Sequence, residues 1–236
     1  MQQVKLIANL KGNYKTIWDF QEKLLQENVA LKKDYYTKNN TQPASIATKH
    51  YLILLEHNPV YTFGKSAKPE HLLLTPTQCQ QQGIEVFNIN RGGDITFHGP
   101  GQLVGYPILD LEKFFTDIGK YLRLLEECII EVIAHYGLIG MRSPGETGVW
   151  LHANQPGKER KICAMGVRCS RWVTMHGFAL NVNTNLKYFE GIVPCGIVGK
   201  GVTSIANELG YNVNMQIVQQ QFIEAFKKHF NAVVNA

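Results

Sequence analysis

The apolar positions of this chain change their spacing along its length, and those changes mark its elements. Ile17, Phe20 and Leu24 recur at helical spacing behind Thr16, a residue able to cap, which predicts a helix over Thr16 to Val29. The stretch that follows, KKDYYTKNNTQPAS from Lys32 to Ser45, is polar and rich in turn formers, and predicts a surface loop or mobile insertion. Tyr51 to Leu55 (YLILL) is a continuous apolar run of strand length ended by His57-Asn58-Pro59, and Ile84 to Asn90 (IEVFNIN) reads as another strand. Tyr106 to Leu111 is again extended.

The clearest helix lies between Asp117 and Tyr136, where Ile118, Tyr121, Leu122, Leu125, Ile129, Val132 and Ile133 form one apolar stripe and Gly137 stops it. Short strands are predicted at Gly148 to His152, Lys161 to Val167 and Val173 to Asn181. A last amphipathic helix runs from Met215 to Phe230. Strands interleaved with few helices, with no repeat, low-complexity tract or convincing linker, predict one mixed α+β domain over residues 1–236 rather than an alternating doubly wound fold.

Composition adds exclusions. With 236 residues, 44% hydrophobic and 18% charged, the chain has enough material for a substantial core and is far from disorder. Its net charge of +5 comes without a dense Lys/Arg stripe, which argues against a nucleic-acid binder and leaves a mildly basic surface suited to an acidic protein partner. No apolar run has the length of a membrane span and the amino terminus has no signal- or transit-peptide layout, so the expectation is a cytoplasmic protein that neither crosses nor binds a membrane.

Residues 91–102, RGGDITFHGPGQ, carry four glycines and a proline. A phosphate loop or a dinucleotide fingerprint needs glycines at other spacings and a helix behind them, whereas Asp94-Ile95-Thr96-Phe97 reads as extended. Two readings remain: a backbone brought close to a ligand, framed by Arg91 and His98, or a pair of tight turns. The five cysteines are odd in number and irregularly spaced, so reduced thiols are expected, and no ligand spacing implies a metal.

Cys128 sits within the apolar stripe of a helix and Cys79 among glutamines, while Cys169 between Arg168 and Arg171 has cations that favour a thiolate. Cys195 lies between Pro194 and Gly196, on a turn near Lys200, where a nucleophile would be accessible. Lys161 leads into the apolar KICAMGV and is a candidate acid/base, with His98 and His176 as further proton-transfer candidates. In an extended strand Lys161, Cys163 and Met165 project to one face, so local reasoning does not choose between Cys195 and Cys163.

Taken in order, EHNPVYTFGKSA, RGGDITFHGPGQLVGYPILDL, GVW, KICAMGVR, HGFALNVN and IVPCGIVGKGVTS resemble the signature set of the lipoyl(octanoyl) transferases over roughly residues 50 to 210. The resemblance implies the mixed α/β fold of lipoate and biotin protein ligases, with a mixed sheet, a smaller sheet and packed helices. It implies transfer of an octanoyl group from octanoyl-acyl carrier protein to a lysine of lipoyl domains in 2-oxoacid dehydrogenases and of the glycine cleavage H protein, without cofactor or metal. By matching motifs it assigns the thioester nucleophile to Cys195 and the acid/base to Lys161, which also favours the thiolate. The implied substrate pocket comprises Arg91, Gly92, Gly93, Asp94, Ile95, Thr96, Phe97, His98, Ala164, Met165, Gly166, Gly177, Phe178 and Ala179. Two features depart from the family pattern: Gly199 stands where an acidic residue often occurs, and the Lys32 to Ser45 stretch is long. The rival readings are an ATP-dependent ligase of the same fold and a non-catalytic module that binds acyl carrier protein.

Overall fold

The structure is a computed structural model that describes residues 1–10, 12–38, 46–193 and 200–235. Its frame is a mixed sheet in which β1 (Gln2–Ala8) lies between the parallel strands β12 (Ala232–Asn235) and β2 (His50–Leu55). The sheet continues through β6 (Gln102–Ile108), β10 (Val173–Asn181), β9 (Arg160–Ser170), β8 (Glu146–Leu151) and β7 (Met141–Ser143). From β2 to β7 every pairing is antiparallel, and the short β11 (Gly201–Val202) adds a parallel contact to the start of β9. A second, three-stranded sheet places β3 (Val60–Phe63) between β4 (Glu85–Asn88) and β5 (Ile95–His98).

Alternation along the central strands explains why helices cover both faces. In β2, Leu52 and Leu54 enter a core built with α3 (Ile118–Ala134) and α5 (Met215–Phe230), whereas Ile53 and Leu55 enter one built with α1 (Tyr14–Thr37). A strand buried on both sides reads as a continuous apolar run, which is what YLILL is. Cys128 is buried in the α3 stripe, and Cys79 is buried in α2 (Pro76–Gln81), against the small sheet. The short α4 (Ile205–Leu209) follows β11 and buries Ile205 in the larger core. No helix among the described residues is long and apolar enough to cross a membrane.

The helix predicted from Thr16 begins earlier and ends later. Asn13, not Thr16, is the cap: its Oδ1 accepts from Thr16 N at 2.9 Å. At the other end, Lys32 to Thr37 are helical rather than loop, because Lys32 is buried and its Nζ donates to Asp110 Oδ1 at 2.6 Å, with Glu112 at 3.0 Å. Residues 39–45 of the expected loop lie outside the described residues. The strand expected from Tyr106 begins at Gln102 instead, directly after Gly101 takes a φ of 80° and reverses the chain.

Candidate active site

A cavity of about 470 Å³ opens beside the free stretch of β9. β8 pairs with β9 only across Arg160 to Cys163, so from Ala164 onward that strand edge faces the 91–96 loop instead. Gly92 N donates to Val167 O at 3.0 Å and ties the loop to it. The loop is held from its other side by β3 and its extension: Gly64 N, Lys65 N and Ser66 N donate to Asp94 O, Arg91 O and Gly93 O at 3.3, 3.0 and 3.0 Å. Gly93 turns at a φ of 86°, and a Cβ on Gly166 would lie 2.7 Å from Gly92 O, so this close approach requires glycine. The glycine-rich stretch is thus a backbone wall of the cavity.

Arg91 is buried, with Nη2 donating to Thr62 O at 2.6 Å and to Thr62 Oγ1 at 3.0 Å, and Nη1 donating to Gly92 O at 3.0 Å. Of the other residues expected in the pocket, Gly92 to Thr96, His98, Ala164 to Gly166 and Gly177 to Ala179 all line the cavity together with Arg91 and Lys161. Phe97 is the exception: it turns into the core of the small sheet and stacks on Tyr188 with centroids 4.5 Å apart. Ala164, Gly166, Gly177 and Ala179 present almost no side chain, leaving a smooth floor between β9 and β10.

His98 belongs to a buried chain of amides. Asn181 Nδ2 donates to Thr203 O at 3.0 Å, so Asn181 Oδ1 accepts from Gln102 Nε2 at 2.9 Å. That leaves Gln102 Oε1 to accept from the protonated Nδ1 of His98, also at 2.9 Å. Burial, with Arg91 nearby, pushes His98 down to about 4, and burial pushes His176 down to about 3. His176 Nε2 donates to Asn90 Oδ1 at 2.9 Å, and the residue is held at a φ of 59°, a strained conformation in mid-strand. Both histidines are therefore neutral, hydrogen-bonded wall residues rather than proton shuttles at neutral pH.

Lys161 stands at the opposite end of the lining. It pairs with Trp150 on β8 and Val202 on β11, and its Nζ lies 4.6 Å from the Trp150 ring centroid. Thr203 N donates to Lys161 O at 3.0 Å, so the amide chain that begins at His98 ends on this strand. The described cysteines are poor nucleophiles. Cys163 is fully buried, with its thiol pushed well up by burial, and burial likewise raises Cys79, Cys128 and Cys169. The expectation that neighbouring arginines favour a thiolate at Cys169 does not hold, because burial raises this thiol and the groups that lower it are the Trp172 backbone and Lys32. Cys195 and Gly199 lie outside the described residues, which resume at Lys200.

Tyr14, Tyr106 and Glu146 also line the cavity, and none of them stands out in the sequence. Tyr14 stacks on His98 at 6.1 Å, and Tyr106 OH is 2.8 Å from His57 Nε2. Among the described residues, no group of three or more His, Cys, Asp or Glu side chains could hold a metal ion.

Comparison with known proteins fits this geometry. The model of the lipoyl protein ligase A/B catalytic domain matches residues 13–227. An octanoyltransferase from Christiangramia forsetii is 54% identical over 221 residues, spanning 93% of this chain and 92% of that protein. Another from Flavobacterium johnsoniae is 56% identical over 223 residues, 94% of each chain. A bipartite lipoate protein ligase solved from Thermoplasma acidophilum, at 16% identity, superposes with a TM-score of 0.68 over 99% of this chain and 85% of its own, which shows a common fold.

Proposed function

The chain belongs to the lipoyl protein ligase A/B catalytic domain family, and from that premise we propose that it is an octanoyltransferase acting in protein lipoylation, with an activated acyl donor and a lipoyl-domain lysine as acceptor. The donor is octanoyl-acyl carrier protein, and the acceptors are lipoyl domains of 2-oxoacid dehydrogenases and the glycine cleavage H protein. The observation that carries this reading is the shared cavity: Lys161 opens onto the same space as the glycine-rich wall and the smooth floor of Ala164, Gly166, Gly177 and Ala179. An extended acyl chain can lie on that floor with its carbonyl towards Lys161.

Cys195 is the nucleophile. Its thiolate attacks the thioester carbonyl, the carrier's sulfur leaves with a proton from Lys161, and an octanoyl thioester on Cys195 remains. The neutral amine of the acceptor lysine then attacks that thioester, Lys161 takes up the amine's proton, and the amide forms as the Cys195 thiolate is released. Four thiols elsewhere, each raised by burial and so held protonated, support this choice. The thioester is already activated, so neither half-reaction consumes a nucleotide. Backbone N–H groups are the donors available for the oxyanion; His98 is not one through Nδ1, which is committed to Gln102.

At about 0.8 kcal/mol per buried methylene, one carbon more or less changes binding only modestly, and chain-length selection is graded. The test is mass spectrometry after incubation with octanoyl-acyl carrier protein. An octanoyl adduct that disappears in Cys195→Ala is expected. An adduct that persists in that variant, or a product formed only with free octanoate and ATP, overturns the reading in favour of another nucleophile or a ligase.

A further inference from the structure

Glu146 opens β8 at the Lys161 end of the cavity and gathers the polar contacts there. Its Oε2 accepts from Lys200 Nζ at 2.6 Å and from the Ser143 hydroxyl, and its carboxylate also feels the charge of Lys161. Lys200 Nζ lies 5.0 Å from the centroid of the Trp150 ring, the same ring that Lys161 Nζ approaches at 4.6 Å. Two ammonium groups thus approach one indole, and like charges drawn to one ring repel each other. A carboxylate that holds one of them fixes which cation is drawn aside.

The segment bearing Glu146 is anchored from the core. Glu126 of α3 is fully buried; its Oε1 accepts from Gly148 N at 3.0 Å, and its Oε2 accepts from Arg142 Nε at 2.9 Å and pairs with Arg123 at 2.6 Å. These donors fix both arms of the β7–β8 hairpin around Glu146. Its carboxylate is therefore presented by rigid structure, although the Glu146–Lys200 pair itself is partly exposed and contributes little to stability.

We propose that Glu146 is a positioning residue for acyl transfer: by holding Lys200 it fixes the second ammonium beside the Trp150 ring and out of the cavity lining, so that Lys161 is the cation that exchanges protons in the cavity. The proposal rests on the reading of Lys161 as the acid/base. The variants to compare with the wild type are Glu146→Gln, Glu146→Asp, Lys200→Gln and the double variant Glu146→Gln/Lys200→Gln, assayed for octanoyl transfer from octanoyl-acyl carrier protein to a lipoyl domain.

Glu146→Gln should lower kcat about tenfold, less than loss of the acid–base group itself would, with donor KM within about twofold and an unchanged thermal midpoint. Glu146→Asp should recover most of the rate. The double variant should be faster than Glu146→Gln, because the released ammonium is gone. An active wild type whose kcat ignores Glu146→Gln, or a double variant no faster than the single, overturns this proposal alone. A wild type that transfers no octanoyl group overturns the reading of the site and this proposal with it.

Discussion

Trp150 and Lys161 face each other across the β8–β9 ladder, and the lysine Nζ sits 4.6 Å from the indole centroid. The ring is buried, so it gives Lys161 a desolvated π-face to rest on and limits where the ammonium can point. Trp150→Phe keeps a π-face and gives up no hydrogen bond, because the indole Nε1 has no partner among the described residues. It should keep most of the transfer rate and cost only about 1–2 kcal/mol. Trp150→Leu removes the π-face, and its transfer rate should fall well below that of the Phe variant. Comparing single-turnover rates with urea unfolding separates the two effects.

Lys161 itself is tested by side chains that keep its length. Lys161→Met should reduce kcat by about two to four orders of magnitude, the usual size of a general acid–base contribution. Lys161→Arg should be no better, since a guanidinium keeps its proton through both half-reactions. An Arg variant near wild-type rate would mean that charge alone, and not proton exchange, is what this position supplies.

Local patterning was enough for β10 and α5, whose bounds match the apolar periods, because each buries its residues along its own length. It missed β1, which lies between two parallel partners distant in sequence, and it stopped α1 short of Lys32, whose buried partner Asp110 is contributed by another part of the chain. The candidate site divides in the same way. Arg91, His98 and the small residues of β9 and β10 announce themselves through glycines and motif spacing. Tyr14, Tyr106 and Glu146 reach the cavity only because the sheets bring them there, and Phe97 leaves it because its ring completes a stack with Tyr188.

Gly166 sits where the glycine wall meets β9. A methyl group there would lie 2.7 Å from Gly92 O and 3.2 Å from Arg91 Cδ. Gly166→Ala should push the 91–94 loop off Val167 and raise the KM for the octanoyl donor several-fold, with a stability loss of about 1–3 kcal/mol from overpacking. Steady-state kinetics and chemical denaturation on the same preparation measure both. A donor KM equal to the wild type's would show that the wall does not shape the acyl site.

The Lys32–Asp110 pair closes the fold behind the β2–β6–β10 strands. Asp110 is fully buried; its Oδ1 accepts from Lys32, and its Oδ2 accepts from Thr48 Oγ1 at 2.9 Å. Lys32→Met strands that carboxylate and should cost about 3–5 kcal/mol in urea unfolding, whereas Lys32→Met with Asp110→Asn should cost less than the first change alone. The pair lies outside the cavity lining, so the folded fraction of either variant should keep its donor KM.

Acid should unfold this protein through its buried histidines. Burial pushes His57 and His176 down to about 3 and His50 and His98 down to about 4, so the native state stays unprotonated well below neutral pH. In the unfolded chain each titrates near the ordinary value of about 6.5. Below that pH the unfolded state binds more protons, and stability is lost as the pH falls towards the folded values. The slope is about 1.4 kcal/mol per pH unit for each such histidine. His57→Phe removes one of them at a position where the ring packs against Tyr14 and Tyr106. The variant should be less stable at neutral pH, where the Tyr106 hydroxyl loses one of its partners, yet its stability should fall less steeply between about pH 6 and pH 4, by one histidine's slope. Urea midpoints measured across that range decide the matter: parallel slopes for the two proteins would mean that His57 takes up its proton in the folded state as readily as in the unfolded one.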